Sequence, residues 1–100
     1  MSKAISAKER KLAKEKKLAI ATGLILSGQI AQFKDLFNYI DRKYIHQRTG
    51  MNYYRLLRNI KNPKRFTFVD VYNIAWVMKV PVRNVAELII NQIEAATKIR

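Results

Sequence analysis

A chain of 100 residues supports one modest domain, and a hydrophobic content of 49% excludes wholesale disorder. The absence of cysteine excludes disulfides, thiolate-bound zinc and thiol nucleophiles, and a single histidine, His46, excludes multi-histidine metal sites. Twenty Lys and Arg against seven Asp and Glu leave a formal net charge of +13, an excess that repels itself in a folded chain and points to a polyanionic partner, nucleic acid or an anionic membrane.

Met1 to Lys17 is rich in Lys and Ala, with Ile5 and Leu12 as its main apolar residues. Leu18 to Leu26 (LAIATGLIL) is almost continuously apolar. A basic stretch before a short apolar run is also the layout of an export signal. No small-x-small cleavage site follows, and the run falls well short of the about 20 apolar residues of a membrane span. The expected organisation is a frayed basic arm over 1–17 and one domain over 18–100, opened by a buried helix from Leu18.

Further on, Ile30, Phe33, Leu36, Phe37 and Ile40 recur at helical spacing and predict an amphipathic helix. Asp41 can cap a second, short helix with Tyr44 and Ile45, ending near Gly50. Asn52 can cap a third, Tyr53 to about Lys61, with Leu56, Leu57 and Ile60 inward. Asn62-Pro63 ends it, because the residue before a proline avoids the helical region. Thr67 and Asp70 form a capping-box variant opening a fourth helix, with Phe68, Val71, Ile74, Ala75 and Met78 as its expected apolar face. Pro81 separates it from a fifth, about Val82 to Ala96, on Val85, Leu88, Ile89 and Ile93. Only three Gly and two Pro interrupt the chain, and no strand alternation occurs, so the expected class is all-α.

The charge is uneven. Residues 42–65 carry eight basic side chains, Arg42, Lys43, Arg48, Arg55, Arg58, Lys61, Lys64 and Arg65, and no acid. This window contains two short helices around Thr49-Gly50-Met51-Asn52. A glycine there can take positive φ and reverse the chain sharply. Helices joined in this way can place the second in the DNA major groove while the first crosses the backbone.

On these residues the chain resembles the helix-turn-helix domains of the lambda repressor and Cro type. The turn reads Ile45-His46-Gln47-Arg48-Thr49-Gly50-Met51-Asn52, with inward Leu56 four places on. The second half of the pattern reads Phe68-Val69-Asp70-Val71-Tyr72-Asn73-Ile74-Ala75-Trp76-Val77-Met78-Lys79-Val80. The likeness spans about Ile30 to Leu88. It implies a lambda-repressor-like five-helix DNA-binding domain, here with an extra N-terminal helix and basic arm. It also implies homodimers, with the apolar fifth helix as the interface. His46 stands where the family places Ala, so its side chain is expected to widen the helix crossing or point outward. Thr49 replaces a larger apolar residue.

Carried over position by position, the resemblance implies that Arg42, with Lys43 beside it, contacts phosphate. It places Asn52, Tyr53 and Tyr54 at the start of the recognition helix, against base edges, with Arg55 and Arg58 one to two turns in. Arginine can bond guanine O6 and N7 in bidentate fashion. Lys61, Asn62, Lys64 and Arg65 fall on the loop that meets the sugar-phosphate backbone.

The expected partner is therefore double-stranded DNA, and the expected role is sequence-specific transcriptional regulation in the cytoplasm. The alternative is a basic RNA- or protein-binding adaptor on the same helical scaffold. An RNA reader would favour aromatic platforms on a sheet. Membrane binding would concentrate the basic excess at the terminus, whereas the middle is richer. No nucleophile–base pair, phosphate-cradling loop or metal motif is present, so no enzyme activity, small-molecule substrate, cofactor or metal is expected.

Overall fold

The computed structural model describes residues 7–97; positions 1–6 of the expected arm and 98–100 of the expected domain lie outside the described residues. Helix α1 runs unbroken from Ala7 to Leu26, so the stretch read as a frayed arm is helical from Ala7 onward. Its Ala, Lys, Glu, Arg and Leu residues are strong helix formers and extend the helix away from the core. All side chains from 7 to 17 are exposed, and burial begins at Leu18, followed by Ala21 and Ile25. Ile20 and Leu26 face outward, so only one side of the apolar run is covered. Thr22 Oγ1 donates to Met78 O at 2.8 Å and ties α1 to the end of the fourth helix. Gly28, at φ +79, closes α1, and the Gln29 amide reaches back to Leu24 O at 2.9 Å.

The segment expected to be an amphipathic α-helix is a 3-10 helix, Phe33–Asn38. Phe33 and Leu36 step by three within it, and both are buried. That step matches three residues per turn, so a tighter coil brings them to one side. Phe33 also packs edge-on against Phe37 and Phe66, with ring centroids 5.4 and 5.2 Å away.

Helix α2 is Arg42–Thr49, α3 is Tyr53–Lys61, α4 is Phe68–Met78 and α5 is Val82–Thr97; a short 3-10 helix, Pro63–Arg65, bridges α3 and α4. The chain is all-helical over the described residues. Asp41 has the extended backbone of an N-cap, but its side chain makes no capping bond. Asn52 does cap α3, its Oδ1 accepting from the Arg55 amide at 3.0 Å. The Thr67/Asp70 capping box is complete: Asp70 N donates to Thr67 Oγ1 and Thr67 N to Asp70 Oδ2, both at 3.0 Å.

The core gathers Phe33 and Leu36, Ile45 of α2, Leu56 of α3, Ile74 and Met78 of α4 and Val85 of α5, with Leu18, Ala21 and Ile25 of α1 laid against it. One expected core residue is misplaced. Phe68 is 94% exposed. The buried side of α4 is Asp70, Val71, Ile74, Ala75, Val77 and Met78. At 3.6 residues per turn, Phe68 sits about a quarter turn away from the middle of that face.

Gln92 of α5 is buried and joins three elements. Its Oε1 accepts from the Lys34 amide at 2.8 Å, and its Nε2 donates to Ile60 O at 2.6 Å. The last turn of α3 is thereby held from behind.

Candidate nucleic-acid interface

Each residue of the turn between α2 and α3 has a structural task. Gly50 takes φ +75, and its amide donates to His46 O at 3.0 Å, ending α2. A side chain would be strained in this left-handed conformation. Met51 is buried beneath the turn. Thr49 Oγ1 donates to Ile45 O at 2.6 Å and accepts from the Met51 amide at 3.2 Å. The Thr49 hydroxyl therefore satisfies polar groups inside the bend.

His46 spans the same bend. Its Nδ1 lies 2.6 Å from Met51 O. A carbonyl oxygen only accepts, so Nδ1 carries the proton of this bond. The half-buried ring also meets Tyr53 edge-on, with centroids 5.4 Å apart. The histidine thus ties the end of α2 to the turn and to the first residue of α3.

Helix α3 has two clearly different sides. Leu56, Asn59 and Ile60 are buried. Tyr54, Arg58 and Lys61 are exposed, Tyr54 by 78%. Their spacing of four and three residues lines them along one face. Tyr53 is half-buried between His46 and Tyr54, the second ring at 5.9 Å.

Arg55 points elsewhere. Its Nη1 and Nη2 donate to Asp70 Oδ2 and Oδ1 at 2.8 and 3.0 Å, a two-pronged pair linking α3 to the start of α4. Burial alone would push the Asp70 carboxyl up. The bonds from Arg55 and the Thr67 amide, the Arg55 charge and the Thr67 hydroxyl outweigh it, holding the carboxyl below its ordinary value. The Arg55 guanidinium is correspondingly held above its own, chiefly by its bond to Asp70.

The remaining expected residues are exposed: Arg42 and Lys43 at the start of α2, Asn52 at the cap, and Asn62, Lys64 and Arg65 after α3, with Lys64 at the edge of the groove between α4 and α5. Folding also recruits cations that the linear pattern did not single out. Lys34, Arg42 and Lys61 line one concavity of about 500 Å³ together with Gln32 and Gln92. Lys14 and Lys17 of α1 join Asp41, Lys43 and Gln47 around a smaller one of about 170 Å³. The start of α2 is thus flanked by two cation-lined hollows, each built from segments distant in sequence. Lys14, Lys17 and Lys34 carry no local signal that would have selected them. Among the described residues no group of three His, Cys, Asp or Glu could hold a metal ion, and no helix is long and apolar enough to cross a membrane.

Comparison with known protein families, curated proteins and solved structures finds no match to this chain.

Proposed function

We propose that the chain is a sequence-specific double-stranded DNA-binding regulator of transcription, built on a lambda-repressor-like helix-turn-helix and acting in the cytoplasm. The observation that carries this reading is the exposed row Tyr54, Arg58 and Lys61 on a helix whose entry is fixed by Gly50, Thr49, His46 and the Asn52 cap. In this reading α3 enters the major groove. Arg58 offers a planar fork to a guanine edge, and Tyr54 meets the neighbouring base or its methyl group. Arg42, Lys43, Lys61, Lys64 and Arg65 neutralise phosphates and set the register of the helix on the duplex. Arg55 acts one step back, holding α3 against α4 through Asp70.

Selection from random duplexes, followed by titration of the enriched and scrambled sites at several salt concentrations, tests the proposal. The expected result is a defined consensus with affinity that falls steeply with salt. Enrichment without a consensus would reduce the protein to a basic coat on DNA. The adaptor alternative has one observation in its favour, a broad apolar surface on α4, and running the same selection with single-stranded RNA separates it.

A further inference from the structure

Helix α4 is apolar on both sides. Its inner side belongs to the core, while its outer side carries Phe68, Val69, Tyr72 and Trp76, exposed by 94, 66, 58 and 75%. Asp70 is the one charged residue among its eleven, and it is buried against Arg55. A helix that is apolar all round is normally covered all round. Exposed Val82 and Ile90 of α5 continue the surface, and a groove of about 650 Å³ runs between the two helices.

We infer that this face docks a second copy of the chain, through a two-fold interface centred on the outer side of α4 and the adjoining groove of α5. The inference stands independently of the DNA reading. It relocates the centre of the dimer expected from resemblance, from α5 alone to α4.

Three observations favour a second copy as the occupant. The first is area. The six exposed apolar side chains present on the order of 700 Å², taking roughly 200 Å² for each aromatic one. A stable interface buries about 800 Å² per partner. The second is charge. A protein of net charge +13 repels its own copy across most approaches. From Phe66 to Thr97, however, Lys79 and Arg83 stand against Asp70, Glu87 and Glu94. Lys64 lines the groove and Arg48 lies beside Tyr72 and Trp76, so this side is not free of cations, but it carries fewer of them than the side of α2 and α3, and two copies meet across it with less repulsion. The third is shape. A two-fold contact requires one patch to complement itself. Here the protruding Phe68 ring stands beside a groove floored by Val71, Ala86, Ile89 and Ile93, so each copy offers both a knob and a hole.

Sedimentation velocity of the full chain across a concentration series tests this. Trp76 serves as a second reporter, because it is the only tryptophan in the sequence. The expected result is a species of twice 11.7 kDa, with Trp76 emission moving to the blue over the same concentrations. The double variant Phe68→Ser/Ile90→Ser removes side chains that lie outside the core. It should raise the dissociation constant by about 100-fold or more. Its helical circular dichroism should stay unchanged. Trp76→Lys should weaken association independently. Leu12→Ser, on the exposed part of α1, should not. A wild-type chain that remains monomeric at about 100 μM overturns the inference and leaves the face to a different protein. A dimer that survives both Phe68→Ser/Ile90→Ser and Trp76→Lys, or that Leu12→Ser disrupts equally, also overturns it. None of these outcomes depends on whether duplex DNA is bound.

Discussion

Arg55 and Asp70 meet through both terminal guanidinium nitrogens and both carboxylate oxygens, at 2.8 and 3.0 Å, and the same carboxylate caps α4 through the Thr67 amide. One acidic side chain therefore starts a helix and fixes the helix before it. Replacing Asp70 by Ala should destabilise the fold by about 1–3 kcal/mol, through the lost cap and the lost paired bonds. The Arg55 side chain, about a third exposed, can turn to water, so the loss falls short of that for a fully buried pair.

The pair also sets an acid limit. Asp70 is held below its ordinary value in the folded state, so its contribution is complete above the unfolded carboxylate range of about 4 and is lost as pH falls through the folded value. Urea melts between neutral and strongly acid pH should show the wild type losing stability below about pH 4. Asp70→Asn should be less stable at neutral pH and should lack part of that acid loss. Parallel curves for the two proteins would contradict the assignment.

Arg42, Arg55 and Arg58 should separate in binding experiments. Arg58→Ala should weaken the preferred duplex by about 1–3 kcal/mol and relax choice at one or two base positions. Arg42→Ala should weaken preferred and scrambled duplexes alike and reduce the salt slope by about one ion. Arg55→Ala should lower the melting temperature while leaving the salt slope near that of the wild type. If all three act on both duplexes equally, the exposed row on α3 does not read sequence.

Lys79 ends α4 in the left-handed conformation, at φ 59 and ψ 41, and is the only non-glycine with positive φ among the described residues. Its amide and that of Val80 close the helix onto Ala75 and Trp76. Lys79→Gly removes the strain of the side chain at an exposed position. Chemical denaturation should show a gain of about 1 kcal/mol.

Much of the helical frame is readable in the sequence because its ends are set by local chemistry. Asn52 and Thr67 cap where their side chains reach the next amides, and Gly50 turns where no side chain intrudes. A step of three is compatible with both helical periods over so short a run, so the sequence does not separate the first 3-10 helix from an α-helix. The spacing of Phe68 to Val71, Ala75 and Met78 is helical and by itself points Phe68 inward. What decides is where the middle of the buried face lies, and that depends on the neighbouring helices. Arg55 likewise sits on the expected recognition helix, and only the approach of α4, fifteen residues later, turns it away. The cationic hollows beside α2 belong to the same class of information, since Lys14, Lys34 and Lys61 are far apart along the chain.

The exposed basic half of α1 gives a separate expectation. Removing residues 1–16 deletes no buried side chain of the described structure, so the thermal midpoint should change little. Affinity for any duplex should fall, and the salt slope should shrink, with Lys14 lost from the hollow beside Lys43. A collapse of the fold on truncation would show that the segment supports the core.

Gln92 binds the Lys34 amide 58 positions away and the Ile60 carbonyl 32 positions away. In hydrogen-exchange terms, α5 and the end of α3 should belong to one cooperative unit. Local fraying of α3 from its last turn is thereby disfavoured, because opening it exposes a buried amide side chain on α5. Protected amides near Ile60 and those flanking Gln92 should therefore exchange with nearly the same free energy, through shared openings of the whole unit.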